Sequence, residues 1–470
     1  MKLKTVVTFL YLVISVPLFL FVEMQPLVWL SFFANFFVLT IIVNYHLNFE
    51  KNYSPFMSSF IIFTYLFFLV APIIQIGDMS TENPIFPNRY PYHPQEVIFA
   101  NAIIFLFNIV FFLSYVLMKK RIFKISTQPS ETSNTYTKPL FIVTLFVISI
   151  LIVVLNYDFL IDEFERSTYA RTTESVASLL IKKKVLFLIP LGAIAICYNY
   201  LSKKKKLTPN FLTVAFILIG LVVCLLILKN PFTEKRNALG PIYITLLFIF
   251  GNKLINSNVK FFLFMFISMV ILFPLTSAIT HVDATFDQVW ENPHLLIESF
   301  VHSGGIANAF NMLHYDAFGN IMATADYIGK NGFSLGFQLL SAFLFFVPRG
   351  VWPSKPISSG ELVGNYLIED YGFRYSNLSN PFVSEGFLNY GILGVIVFAI
   401  SLPYVILKFS NWLYSADYLK KIIAFYLAVH LMFLLRGDFT NGFSYFIGTF
   451  LGVYFVPKLV DRILTFSLKK

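Results

Sequence analysis

Residues 348–356 read Pro-Arg-Gly-Val-Trp-Pro-Ser-Lys-Pro and end an apolar run. The three prolines stiffen the backbone. Arg349 and Lys355 are therefore expected to project from a stiff loop, which is a way to pre-order cations around an anion. A guanidinium group also offers a planar fork that holds two phosphate oxygens at once. The stretch predicts a site for a phosphate-bearing ligand, with the aromatic side chain of Trp352 between the two cations.

Residues 381–394 place one carboxylate, Glu385, and one amide, Asn389, just before another apolar run. A carboxylate within hydrogen-bond reach of a hydroxyl group can act as its general base. Glu385 is the first candidate for this role, and a salt bridge to an arginine is the alternative. Glu298, His302 and Asp326 are weaker candidates for the base.

These two stretches lie in a chain with the composition of a membrane protein. Its 470 residues are 57% hydrophobic and 13% charged, and 57 of them are phenylalanine. A soluble chain of this length would carry more polar surface. We find about twelve apolar runs long enough, or nearly so, to cross a bilayer. They cover residues 5–22, 27–45, 56–76, 97–118, 139–156, 185–201, 211–228, 239–250, 261–277, 390–407, 422–435 and 443–456.

The charges between these runs predict the orientation. With both termini in the cytoplasm, the inner side holds about 21 basic and 4 acidic residues, and the outer side about 14 and 21. Inner loops of membrane proteins accumulate Lys and Arg. The net charge of +10 is thus explained without nucleic acid. The run Lys182, Lys183, Lys184 on the outer side is the exception.

Arginine is distributed differently from lysine. Most lysines fall inside, whereas about seven of the nine arginines fall outside. Topology alone would not separate the two residue types. An outer site for a lipid diphosphate would explain the separation, and pairing with outer carboxylates or lipid head groups is the alternative. The outer arginines are Arg89, Arg166, Arg171, Arg236, Arg349, Arg374 and Arg436.

Both stretches resemble the Wzy-type oligosaccharide repeat-unit polymerases, which are also called O-antigen or capsule polymerases. The first element matches the family's Pro-Arg-x-x-Trp-Pro-x-Lys-Pro pattern. The second matches at Glu385, Asn389, Gly391 and Gly394. The layout also matches, since the chain has about a dozen predicted crossing helices and one long, partly helical outer loop late in the sequence.

The resemblance implies a C-type glycosyltransferase of the bacterial plasma membrane, working in O-antigen, lipopolysaccharide or capsule synthesis. Donor and acceptor would both be undecaprenyl-diphosphate-linked glycans, and no cofactor or metal is expected. Membrane lipids, a chain-length regulator and a flippase are the further partners. The expected catalytic residues are Glu385, Arg349, Arg436 and Arg236, and the expected substrate-binding residues are Lys355, Arg166, Arg171, Arg374, Trp352 and Asn389.

The chain divides into three predicted segments. Residues 1–277 form an N-terminal bundle of about nine helices, residues 278–389 a large extracytoplasmic loop, and residues 390–470 the last crossings and a cytoplasmic tail. Two other functions remain open. An O-antigen ligase would use nearly the same donor chemistry. A flippase should carry charges inside its crossing helices and related halves, and neither is found in the sequence.

Overall fold

A computed structural model of the chain describes residues 3–77, 93–124, 139–165, 176–204, 206–231, 233–272, 288, 291–302, 310 and 313–467. Within these ranges the regular structure is entirely helical. The predicted all-α class is therefore confirmed for the described part of the chain. Most of the helices are apolar over much of their length, as expected for segments that face either lipid or one another.

Residues 3–267 contain twelve described α-helices: α1 Leu3–Phe21, α2 Pro26–Asn44, α3 Pro55–Tyr65, α4 Ala71–Gly77, α5 Pro94–Ile122, α6 Pro139–Leu155, α7 Tyr157–Glu165, α8 Val176–Lys184, α9 Ile189–Ser202, α10 Pro209–Leu228, α11 Arg236–Phe250 and α12 Asn258–Ile267. The rest of the chain continues with α13 His294–His302, α14 Ala317–Asn331, α15 Phe337–Phe343, α16 Ser359–Tyr371, α17 Phe382–Leu413, α18 Tyr418–Arg436, α19 Phe439–Thr449 and α20 Val456–Ser467. Short π-helical turns extend α2 and α12, and others join α3 to α4 and α19 to α20.

Eight of the described helical segments are long and apolar enough to cross a membrane. They coincide with eight of the predicted runs and confirm a multi-pass membrane protein. The fifth predicted run is a bent pair, α6 and α7, with an angle of 60° between its parts. The sixth, eighth and ninth runs correspond to the shorter helices α9, α11 and α12. A total of about twelve crossings therefore stays a prediction.

One hydrophobic core joins the predicted N-terminal bundle, the long loop and the C-terminal helices. Phe32 of α2 packs on Phe318 of α14, with ring centroids 5.5 Å apart. On α5, Phe99 contacts Phe387 at 5.6 Å and Phe107 contacts Phe382 at 6.3 Å. The start of α17, which carries Glu385, is thereby fixed against the first half of the chain.

Helix α17 is broken near its start. Tyr390 and Gly391 have non-helical backbone angles, and the φ of Gly391 is +60°, which glycine adopts without strain. A Cβ on Gly394 would collide with the carbonyl oxygen of Gly386. The two glycines therefore let the first segment of α17 fold closely against the beginning of its second segment. Glu385 lies in that first segment, before the predicted crossing run.

A buried ion-pair network lies in the helix bundle, far from Glu385. Glu50 accepts hydrogen bonds from Tyr115 at 2.7 Å and from Lys119, and its other oxygen lies 2.5 Å from Nδ1 of His46. His46 also contacts the hydroxyl of Ser58 at 2.7 Å. Lys119 follows Phe99 by 20 positions on α5, a distance of about 30 Å along a helix. The network and Glu385 therefore lie near opposite ends of α5.

Candidate functional site

Glu385 lies where the starts of two other helices meet. Its side chain is buried, and Oε1 accepts a hydrogen bond of 2.7 Å from the backbone N–H of Phe439. The hydroxyl of Ser359 donates to the same oxygen. Phe439 begins α19 and Ser359 begins α16. Helix N-termini stabilise a carboxylate through their free N–H groups and their dipole.

The cation that could have paired with Glu385 has a different partner. Arg436 donates from Nη2 to Oδ1 of Asp316 at 3.2 Å. Within the described ranges, Glu385 forms no ion pair with a lysine or an arginine. The salt bridge considered from the sequence is therefore made by Asp316, and Glu385 is held by neutral donors instead.

Arg436 and Glu385 nevertheless belong to one site. Arg436 ends α18, and only Gly437 and Asp438 separate it from Phe439, whose N–H contacts Glu385. Asp438 caps α19 by accepting from the backbone N–H of Asn441 at 2.9 Å. The Arg436 side chain is partly exposed, with 24% of its surface accessible, although its Nε atom is buried. It can therefore meet a ligand without leaving Asp316.

Hydrogen bonds from α14 fix the segment that leads into the helix of Glu385. Ser379 donates to Asp316 at 2.7 Å, and its carbonyl accepts from Asn320 at 2.6 Å. Thr324 donates to the amide oxygen of Asn380 at 3.1 Å. Asp316 therefore ties Arg436 to the chain that immediately precedes Glu385. This arrangement unites the two predicted catalytic residues through side chains that lie far apart in the sequence.

Three buried polar atoms close to Glu385 in sequence have no hydrogen-bond partner among the described residues. They are Nδ2 of Asn380, Oγ of Ser384 and Oδ1 of Asn389. Asn389 uses its amide N–H to donate to the carbonyl of Glu385 at 2.9 Å. Buried polar groups in folded proteins are nearly always satisfied. The described side chains around Glu385 therefore leave part of the local hydrogen-bonding capacity unused.

The predicted cations Arg349 and Lys355 hold their own loop together. Arg349 donates to the carbonyl of Lys355 at 2.6 Å. Lys355 donates to the carbonyls of Phe345 at 2.7 Å and Val347 at 3.0 Å. Partial burial, and then the positive charge of Arg349, lower the pKa of Lys355. The side chain of Arg349 is exposed, so its fork can still turn toward a ligand.

The segments before and after this loop both contact the Glu385 site. Before it, Phe343 of α15 packs on Phe439 with ring centroids 5.7 Å apart. After it, the carbonyl of Pro356 accepts from Ser341 at 3.2 Å, three residues before Ser359 reaches Glu385. Residues 348–356 therefore lie between α15, which contacts Phe439, and the start of α16, where Ser359 contacts Glu385.

Trp352 and Arg374 lie outside this set of contacts. Trp352 donates to the hydroxyl of Ser354 at 3.0 Å, and its ring meets that of Phe337 edge-on at 5.8 Å. Arg374 is exposed in the turn that follows α16. No described contact links either side chain to Glu385 or Arg436.

The remaining predicted arginines can be placed only in part. The backbone of Arg236 starts α11, and its side chain lies outside the described atoms. In the preceding loop, Glu234 pairs with Lys229 at 2.8 Å and with Lys183 at 3.9 Å. Arg166 and Arg171 lie outside the described residues, as does Arg89.

The weaker candidates for a base have other surroundings. Glu298 is exposed and lies 3.4 Å from His294. The side chain of His302 is outside the described atoms. Asp326 accepts hydrogen bonds from two tyrosines, away from Glu385. Within the described ranges, no group of His, Cys, Asp and Glu side chains could hold a metal ion.

No role was predicted from the sequence for Lys184, which contacts α19, the helix whose first residue donates to Glu385. Its ammonium group donates to Ser444 of α19 and lies 4.1 Å from the ring centroid of Tyr445. Burial lowers the pKa of Lys184 to about 7, against the opposing effect of Asp438. The signal was present in the sequence, because Lys184 belongs to the one basic run that contradicts the predicted topology.

Comparison of the chain with family models, curated proteins and solved structures gave no match in any of the three.

Proposed function

We propose that the protein is a membrane glycosyltransferase that polymerises oligosaccharide repeat units carried on undecaprenyl diphosphate. The observation that carries this proposal is that Glu385 accepts a hydrogen bond from Phe439 at the start of α19, only three residues after Arg436. One side chain can accept a proton, and the other can hold a diphosphate. A transfer from a lipid diphosphate to a sugar hydroxyl requires both abilities.

In the proposed reaction, the hydroxyl of the acceptor sugar loses its proton to Glu385 and attacks the anomeric carbon of the donor. The bond between that carbon and the diphosphate oxygen breaks, and the diphosphate leaves with the electron pair. Both described hydrogen bonds of the Glu385 carboxylate end on Oε1, which leaves Oε2 for the hydroxyl. Ser359 and the N–H of Phe439 orient the carboxylate without neutralising it as a cation would.

Arg436 is proposed to stabilise the departing diphosphate. The leaving group gains charge as the glycosidic bond breaks, so a fixed guanidinium favours the transition state over the bound donor. Asp316 holds Arg436 in place while part of the side chain stays accessible. Arg349, on the loop of residues 348–356, is the second guanidinium proposed to bind the diphosphate. Arg236, at the start of α11, is the third.

The setting of the site suits a lipid-linked substrate. Glu385 lies near the start of the candidate span Phe382–Leu413, and Arg436 ends the span Tyr418–Arg436. Both residues are therefore at span ends, where a diphosphate head group would lie while its isoprenoid tail stays in lipid. We place this end at the outer face of the bacterial plasma membrane, with both termini in the cytoplasm, because that orientation gives basic inner loops.

Reconstitution tests the proposal against the two alternatives. Purified protein in liposomes, supplied with a lipid-linked repeat unit, should give a ladder of longer lipid-linked glycans. Transport of the substrate across the bilayer without growth of the glycan would reject polymerisation in favour of a flippase. Transfer of polymer only to a different acceptor lipid would reject it in favour of a ligase.

A further inference from the structure

A cluster of tyrosines and charged residues lies on the surface of the long loop. Oδ2 of Asp326 accepts hydrogen bonds from the phenols of Tyr366 at 2.6 Å and Tyr371 at 2.5 Å. Lys330 donates to Asp370 at 2.9 Å, and its ammonium group lies 5.1 and 4.9 Å from the centroids of the two tyrosine rings. We refer to these five residues as the tyrosine cluster.

The cluster is both ordered and accessible. Tyr366 is largely buried, whereas Tyr371 is 38% exposed and Lys330 is exposed. Desolvation, and then the hydrogen bond to Asp326, raise the pKa of Tyr366, so its phenol remains a donor. The two rings meet edge-on at 5.9 Å. Such a surface offers an aromatic face beside fixed donors and acceptors, the combination that orients polar ligands with apolar faces.

Two helices connect the tyrosine cluster with the Glu385 site. Helix α14 begins after Asp316, the partner of Arg436, and reaches Asp326 ten positions later, or about 15 Å along the helix. Helix α16 begins with Ser359, which donates to Glu385, and ends with Tyr371. Both helices therefore start at the site and end at the cluster, and their rigidity fixes the separation between the two.

We propose that the tyrosine cluster is a glycan-binding subsite, which holds sugar units of an oligosaccharide whose reacting end lies at Glu385. This inference rests on the proposed function, because it assigns the cluster to the substrate of that reaction. A separation of about 15 Å, from ten helical positions, suits a short oligosaccharide better than a single sugar.

The charges of the cluster select among glycans. Asp326 and Asp370 carry two negative charges against the one positive charge of Lys330, so the cluster disfavours an acidic sugar. Carboxylates accept hydrogen bonds from sugar hydroxyls, and Lys330 can donate one. The subsite is therefore assigned to a neutral or amino-bearing glycan.

Binding of a free glycan tests the subsite without requiring catalysis. The probe is a neutral oligosaccharide repeat unit, released from its lipid carrier by mild acid and labelled at its reducing end. Its Kd is measured on the full-length protein in detergent for wild type, Tyr371→Ala, Tyr371→Phe and Asp326→Asn. Exposed residues outside the cluster give the matched controls Tyr157→Ala and Glu369→Gln.

We expect Tyr371→Ala to weaken binding roughly tenfold, the effect of losing one well-packed aromatic contact. Asp326→Asn should weaken binding less, and Tyr371→Phe least, because the ring remains. The two controls should match wild type. Equal Kd values for wild type, Tyr371→Ala and Asp326→Asn would overturn the subsite, as would failure of wild type to bind the probe.

Chain extension, measured on the same preparations, separates this inference from the proposed function. If wild type extends lipid-linked glycans and the Kd values do not change, the subsite is wrong and the proposed function stands. If the Kd values change as expected but no preparation extends a glycan, glycan binding by the tyrosine cluster stands and the proposed function is wrong.

Discussion

The backbone N–H of Phe439 donates a hydrogen bond of 2.7 Å to Oε1 of Glu385, across 54 residues of sequence. This bond links the start of α19 to the first segment of α17. It also brings Arg436, three residues before Phe439, into the surroundings of the carboxylate. Activity should therefore depend on Glu385, on Arg436 and on the elements that hold them together.

Replacement of the carboxylate tests its role as a base. Glu385→Gln keeps an oxygen that can accept from Phe439 and Ser359, so the protein should fold normally. Chain extension should fall by about 100-fold or more, the usual contribution of a general base. Initial rates with lipid-linked repeat units measure the effect, and the exposed Glu361→Gln on α16 is the control. A rate within a few-fold of wild type would exclude Glu385 as the base.

Arg436→Lys tests whether the site needs a fork or only a positive charge. Lysine keeps the charge near Asp316 but cannot hold two phosphate oxygens in one plane. We expect expression close to wild type and a loss of extension of at least about tenfold, the effect of 1.4 kcal/mol on a rate. Arg436→Ala should abolish extension. Full activity of the lysine variant would show that a bidentate contact is not required.

The two cations of residues 348–356 should differ in what they affect. Arg349→Ala removes an exposed side chain whose one described hydrogen bond, to the carbonyl of Lys355, water can replace, so extension should be lost while the thermal midpoint in detergent changes little. Lys355→Met leaves two backbone carbonyls without their donor, at a cost of about 1 kcal/mol for each lost hydrogen bond. It should therefore lower the thermal midpoint as well. Near-normal polymer from both Arg349→Ala and Arg436→Ala would reject the proposed diphosphate site.

Lys184 predicts a particular dependence of stability on pH. Its pKa falls from the ordinary 10.5 to about 7 in the folded protein. Between these values the unfolded chain binds more protons, so this group makes stability rise with pH from 7 to 10.5. Lys184→Met removes the buried charge. The variant should be more stable than wild type near pH 7, by an amount that shrinks as the pH rises.

Thermal midpoints in detergent across this pH range measure the effect. The exposed Lys206→Met is the control, and its profile should run parallel to that of wild type. A constant offset between Lys184→Met and wild type would contradict the proposed titration of Lys184.

The sequence predicted the crossing segments well because lipid requires long apolar runs. It predicted the start of the tenth run at residue 390, and the structure breaks α17 there, at Tyr390 and Gly391. The sequence could not show that the preceding segment is also helical and folds back. That arrangement depends on the contact between Gly386 and Gly394, which periodicity does not report.

The site was predicted less completely because most of its contacts are long-range. Glu385 and Arg436 were proposed, but their partners Ser359 and Asp316 carry no local pattern that distinguishes them from ordinary loop residues. Lys355 was proposed to face a ligand, and the structure has it bound to the carbonyls of its own loop. The position of Lys355 in the sequence does not show which backbone carbonyls its side chain can reach, so these hydrogen bonds could not be predicted.

The most direct test measures the undecaprenyl diphosphate that purified protein releases in liposomes. Lipid-linked repeat units are the only glycan substrate supplied. Wild type should release one undecaprenyl diphosphate for each repeat unit added to the growing glycan, and Glu385→Gln should release almost none. Glycan growth without release of the carrier diphosphate, or equal release by the variant, would contradict the account.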